Sequence, residues 1–324
     1  MKLQHWLLAL AALGSISAQA ADALNLGNYQ VGAVYALDRL NGTNGGISGL
    51  EASAVTYAKD RGSLFFVGDE GTGVVEISLT GQTLGYMNFD WTGTGSTKHD
   101  TEGLTYLGNG TLVVSEERLY DAYRFSYTAG GTASLAANSV SISNANVGNS
   151  GLEGISYDPR NGSFVTIKQE NPQDILAGTL SFAAGLGGTA SMTQLFDPNL
   201  MGLATLSDVQ TLGGVDALLG TSAADNLLVL SLGSRKLIEV TRSGQVKSSF
   251  DLSNVLPNNA IEGVTIDEKG NIYLVAEQIQ DGIIPPNPQS QLIVLTAPVP
   301  EPETYAMLLA GLGLLGAVAR RRRT

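Results

Sequence analysis

An acidic residue at the head of a short apolar run returns about once every fifty residues along this 324-residue chain, at Glu51, Glu102, Glu153, Asp208 and Glu262. A period of that length means one supersecondary unit copied and stacked, with each acid at an equivalent place in its own copy.

Aligned on their apolar runs, the copies share a plan. A first strand is expected at Val55 to Tyr57, Leu104 to Tyr106, Ile155 to Tyr157, Val209 to Leu212 and Val264 to Ile266. A turn rich in Gly, Asn and Asp follows, then a second strand at Leu64 to Val67, Leu112 to Ser115, Phe164 to Ile167, Leu227 to Ser231 and Ile272 to Ala276. Third and fourth strands flank Thr80-Gly81 and Ser243-Gly244. Four antiparallel strands per unit describe the blade of an all-β propeller. The fifth unit has its third strand at Gln291 to Thr296 and no fourth, and the N-terminal run Tyr29 to Leu37 can supply one. Such a closure removes an open sheet edge. The count is five blades, with six as the alternative because Ala122 to Asn149 and Ala177 to Leu206 have room for further strands.

The two ends read differently from the repeats. Residues 1–20 have Lys2, an apolar stretch from Leu7 to Leu13 and Ala18-Gln19-Ala20, the layout of a secretory signal peptide cleaved before Ala21. Residues 21–298 then form the propeller domain. In residues 299–324, Pro300, Glu301 and Pro302 precede an apolar run over 305–319 and the cluster Arg320, Arg321, Arg322 and Arg323. That run is short for a bilayer span of about 20 residues, although arginines can snorkel to lengthen it. Charge after the run would hold that end in the cytoplasm and leave the domain outside. A plain C-terminal anchor is one reading. The three parts in this order closely resemble the PEP-CTERM sorting signal. This resemblance implies an exosortase as partner, transient or retained membrane association through 305–319, and export across the inner membrane of a Gram-negative bacterium to periplasm, cell surface or extracellular matrix.

Composition excludes several chemistries. There is no cysteine, so thiol catalysis and disulfides are absent. His5 lies in the leader, which leaves His99 alone and rules out a multi-histidine metal site. The formal charge of −12 makes nucleic acid an improbable partner and suits a soluble exported protein or carboxylate-held divalent cations. No GxSxG elbow, Walker loop or HExxH helix occurs.

The candidate site lies in the acids. Anchored on the Thr-Tyr or Ser-Tyr end of the first strand, Glu102, Glu153 and Glu262 align with Ser53 and Gln210. Glu51, Asp100 and Asp208 then form a column two residues earlier, beside Gly151 and Ala260. In an extended strand that spacing puts both columns on one face. A further set follows the second strand: Asp69 and Glu70, Glu116 and Glu117, Glu170, and Glu277. In a propeller these approach the central channel. Calcium, which takes six to eight oxygens, is the cation such a set would hold, with Asp100, Glu102, Glu117, Glu153, Glu170, Glu262 and Glu277 as candidate ligands. Glu102, Glu153 and His99 are the candidate catalytic groups. The structural alternative is that each acid caps its own turn or bonds the next blade's amides; for His99 it is a polar loop residue.

Leu227 to Gly244 (LLVLSLGSRKLIEVTRSG) and Ile261 to Glu277 (IEGVTIDEKGNIYLVAE) resemble blades of the SdiA-regulated, YjiK-like propeller family. Where that family tends to end a fourth-blade strand in acids, this chain has Leu232-Gly233, so an acid ring would be incomplete there. The Glu-Gly pairs at 102, 153 and 262 are similar to those of phytase-like esterase propellers. Two functions are therefore expected to compete. One is binding of a small ligand or extracellular polymer at the channel mouth, with calcium. The other is a calcium-assisted esterase or phosphatase-like hydrolase using channel carboxylates.

Overall fold

A computed structural model describes residues 22–37, 51–69, 71–143, 147–277, 290–297 and 312. The leader, Glu70 and the sorting tail with Pro300, Glu301, Pro302 and Arg320 to Arg323 lie outside the described residues. Strand β1 is Gln30–Ala36. Blade 1 follows as β2 (Ala52–Ala58), β3 (Ser63–Gly68), β4 (Gly73–Ile77) and β5 (Thr83–Asp90). Blade 2 is β6 (Thr101–Gly108), β7 (Thr111–Glu116) and β8 (Asp121–Ser126), and after β9 (Thr132–Ser134) it is completed by β10 (Ser139–Ser141). Blade 3 is β11 (Leu152–Asp158), β12 (Ser163–Lys168), β13 (Asp174–Ser181) and β14 (Thr189–Gln194). Blade 4 is β15 (Asp208–Thr211), β16 (Leu227–Ser231), β17 (Lys236–Val240) and β18 (Val246–Asp251). Blade 5 is β19 (Ile261–Ile266), β20 (Ile272–Ala276), β21 (Gln291–Thr296) and, outermost, β1.

Each inner strand touches the next, β2 to β6, β11, β15, β19 and back to β2, which closes a five-bladed ring. The six-blade alternative is thereby excluded. The two segments that had room for a sixth blade hold the outer strands of blades 2 and 3 instead, plus β9, which crosses to pair in parallel with β5 of blade 1.

The near-continuous apolar runs of the middle strands follow from this stacking, since both faces of every blade are covered. In β3, Phe65 and Val67 enter the core shared with blade 2, while Leu64 and Phe66 enter the one shared with blade 5. In β16, Leu228 and Leu230 face blade 5, and Leu227 and Val229 face blade 3.

The ring is sealed from the N-terminus. The segment before β1 crosses blade 4, where Leu24 N–H lies 3.0 and 2.9 Å from the two carboxylate oxygens of Glu239. Tyr29 then donates its hydroxyl to the Gly270 carbonyl (2.8 Å), and β1 pairs antiparallel with β21, Val34 opposite Ile293.

Two features of the inner strands decide where side chains point. The register slips by one residue near the start of β2, β6, β11 and β19, leaving Ser53, Glu102, Glu153 and Glu262 as the extra residue of a bulge. Bulges re-aim a side chain, here on the strand nearest the axis. The glycine after the bulge lets the next blade approach: a Cβ on Gly154 would lie 2.9 Å from Val209 N, and one on Gly263 2.9 Å from Ala54 Cα.

At the other end of the same strands a hydroxyl belt joins the blades. Tyr106 N–H donates to Thr56 Oγ1 (3.1 Å), Tyr157 N–H to Thr105 Oγ1 (2.9 Å), Thr211 N–H to Ser156 Oγ (2.9 Å) and Tyr57 N–H to Thr265 Oγ1 (3.0 Å). At the remaining joint Thr265 donates to Gln210 Oε1 (3.0 Å).

Candidate channel site

The belt corrects the expected alignment of blade 4. Gln210 occupies the place of Thr56, Thr105 and Ser156, so it belongs to the belt and not to the column of Glu102. Counting back along β15, Ser207 falls in the glutamate column and Asp208 takes the place of Gly154 and Gly263. The expected pairing of Asp208 with Glu51 and Asp100 is off by three places, because blade 4 has Gln210-Thr211 where blades 1 to 3 carry the Thr-Tyr or Ser-Tyr pair that anchors the alignment.

The set after the second strands is also sorted by the backbone. Asp69, Glu117, Gln169 and Glu277 are equivalent, their N–H groups donating to the carbonyls of Glu51, Asp100, Gly151 and Ala260. Glu170 therefore lies one residue outside this column. Its carboxylate is 3.5 Å from Ser150 Oγ, and its carbonyl accepts from Lys168. Glu116 lies one residue before the column and has a structural task, accepting from Ser96 Oγ and from Leu119 N–H, both at 2.7 Å. Blade 4 offers Ser207 and Leu232, so the acids converge from blades 1, 2, 3 and 5 only.

Within that arc Asp69, Asp100 and Glu102 each place an oxygen within 4.8 Å of the others. Arg118 pairs with Asp100 and also donates to Asn149. Glu117 accepts the Gly151 N–H at 3.0 Å and stands beside Glu153.

The electrostatics follow from removing like charges from water. Burial, then Glu153 and Glu262, push the Glu102 carboxyl well above its ordinary range. Burial and Glu117 do the same to Glu153. Burial raises Asp100, although its contacts with Asp69 and Arg118 oppose the rise. Glu262 is raised to about 7, chiefly by burial and against a hydrogen bond from Glu277. Glu277 is raised to about 10 by burial and by Glu262, so at neutral pH it holds its proton and donates it to Glu262.

His99 is turned elsewhere. Its imidazole stacks on Trp91, ring centres 4.8 Å apart and planes 8° from parallel, and its carbonyl accepts Gly71 N–H at 2.7 Å.

Asp69, named among the acids after the second strand, is absent from the candidate cation ligands although it matches Glu117 and Glu277. Arg118 has no sequence signal beyond adjoining Glu117.

Among solved structures, glutaminyl cyclase from Myxococcus xanthus superposes with a TM-score of 0.50 at 11% identity, over 83% of this chain and 95% of that one. That is a likeness of fold. A luciferin-regenerating enzyme gives a TM-score of 0.48 at 9% identity, over 82% of this chain and 95% of its own. Among the described residues no helix is long and apolar enough to cross a membrane. The PEP-CTERM protein-sorting motif matches residues 298–323, which implies export, surface sorting and recognition by an exosortase. The SdiA-regulated family matches residues 36–278, most of the chain and nearly all of the ring, and this protein belongs to that family.

Proposed function

We propose that this is an exported, surface-sorted binding propeller whose acidic channel end holds calcium and offers it to a small ligand or an extracellular polymer. The observation that carries the reading is the convergence of Asp69, Asp100 and Glu102 to within 4.8 Å in a channel end that also gathers Glu117, Glu153, Glu262 and Glu277. Carboxylates this close, Asp100 buried and Asp69 and Glu102 half-buried, are stabilised by protons or by a cation. The donors are all oxygens, which suits a hard cation with a flexible shell of six to eight ligands. Arg118 offsets part of the charge at Asp100, Glu117 and Asp69, and one cation shared among seven carboxyl groups leaves most of their charge to protons or a bound ion.

A second reading is favoured by one value. A carboxyl raised to about 7, as Glu262 is, is matched to proton transfer near neutral pH, which suits a metal-assisted hydrolase of phosphate or carboxylate esters. In that case Glu102 or Glu153 would take a proton from the attacking water.

Thermal melts of the mature protein with calcium and with chelator test both readings, followed by a screen on phosphomonoesters, lactones and acyl esters. Binding predicts a saturable rise in melting temperature that is lost in Glu102→Gln, with no turnover. Turnover abolished by Glu153→Gln selects the hydrolase. An unchanged melt removes the cation from both.

A further inference from the structure

The end of the ring opposite the acids has a site of its own. All five blades contribute to a cavity of about 580 Å³ there, lined by Tyr57, Tyr106 and Tyr157 at equivalent positions of blades 1 to 3 and by the threonines of the belt. Its size falls within the roughly 300 to 1,000 Å³ of small-molecule sites. Along β6, Thr105 in this lining stands three residues, about 10 Å of extended strand, from Glu102 at the acidic end, so the two sites use different side chains of the same strands.

The lining has a definite chemistry. The three tyrosines are half-buried. Each packs against a core between blades, and Tyr106 stacks on Phe65 with ring centres 5.9 Å apart. The hydroxyls of Tyr57 and Tyr106 are held by Glu268 and Asp60, which fixes their rings. Thr56 and Thr105 each accept a backbone N–H, and each still has a hydroxyl proton to donate. At the rim Lys59 pairs with Asp216 at 2.6 Å, while the Asp60 carboxylate takes neutral donors, the Tyr106 hydroxyl and Asn109 N–H at 3.2 Å. Flat apolar rings, hydroxyl donors between them and one carboxylate acceptor at the rim suit a ligand with an apolar face edged by hydroxyl groups that both accept and donate, which describes a sugar ring.

We propose that this tyrosine-lined mouth is a binding site for a neutral saccharide, separate from the acidic end and independent of any cation there. Gly214 provides a clean block, because it lines the cavity and a Cβ built on it meets no atom within 4 Å. Isothermal titration calorimetry of the mature protein against neutral gluco-, manno-, galacto- and N-acetylhexosamine oligomers is the test, run in chelator so that a failure of the calcium reading cannot be mistaken for a failure of this one. The expected result is saturable binding of at least one oligomer, weakened roughly tenfold by Tyr157→Ala and lost in Gly214→Phe. Melting curves confirm that both variants are folded, and Gly214→Phe decides the matter if Tyr157→Ala is not. No binding by any neutral oligomer at millimolar concentration, undiminished binding in Gly214→Phe, or a preference for charged or aromatic compounds would overturn the proposal.

Discussion

Asp208 reaches out of blade 4 and accepts the backbone N–H of Val264 in blade 5 at 2.7 Å, while its other oxygen accepts Val209 N–H at the same distance. The fourth acid of the sequence repeat is therefore a structural clamp. At the other joints a small residue lets the backbones close up, whereas here a carboxylate spans the gap, as Gln210 does at the belt. Replacement by alanine would leave two buried donors without partners, at roughly 1–3 kcal/mol each. Asp208→Ala should lower the denaturation midpoint strongly while leaving any calcium-induced rise in melting temperature intact. Loss of the calcium response without loss of stability would place Asp208 in the channel site instead.

The glycines after the bulges support a sharper prediction. A Cβ on Gly263 would sit 2.9 Å from Ala54 Cα and 2.9 Å from the Ser53 carbonyl, both backbone atoms that cannot swing aside. Gly263→Ala should cost about 1–3 kcal/mol by forcing blades 5 and 1 apart. Gly214→Ala, with nothing near its Cβ, should be nearly neutral. Equal urea midpoints for the two variants would refute the close-approach account.

The channel acids set a pH dependence with a definite sign. Glu262 and Glu277 titrate at about 7 and about 10 in the folded protein, above the usual glutamate value of about 4.3. Groups with raised folded values bind more protons when folded, so their contribution is full below the unfolded value and is lost as pH rises through the folded one. In chelator, stability should therefore fall between about pH 4.5 and 7, and further toward pH 10. Saturating calcium should flatten the profile by stabilising the ionised forms. Melting temperatures across this range, with and without calcium, give the comparison; a metal-free profile that rises with pH would be incompatible with the carboxylate arc.

The fold was legible because its cause is periodic. Strands covered on both faces produce unbroken apolar runs such as Leu227 to Ser231, and the missing fourth strand of the last unit pointed to Tyr29 to Leu37. The site was only partly legible because the alignment rests on a Thr-Tyr or Ser-Tyr pair that blade 4 replaces with Gln210-Thr211. Glu102, Glu153 and Glu262 share a bulge and fall in one column, whereas Asp208, without that anchor, aligns three positions away from where the belt puts it. Glu170 lies one residue beyond the equivalent position, which Gln169 holds. The tyrosines served as an alignment anchor for the strands, and only the closed ring shows that their rings face one cavity.

Closure by β1 should govern the solution behaviour of the whole ring. Without residues 22–37, β21 becomes an exposed edge, and a long apolar edge strand is a template for pairing with another chain. A chain lacking those residues should associate in a concentration-dependent way, visible by light scattering, while keeping its strand content by circular dichroism. Glu239→Ala should act more mildly. It removes the acceptor of Leu24 N–H and of the Asn226 side-chain amide (2.8 Å), yet leaves the ladder between β1 and β21 in place. Hydrogen exchange should then speed up around residues 22–28 with little change in β21. Protection lost equally in both segments would mean that the Glu239 contact, and not the strand ladder, holds the ring shut.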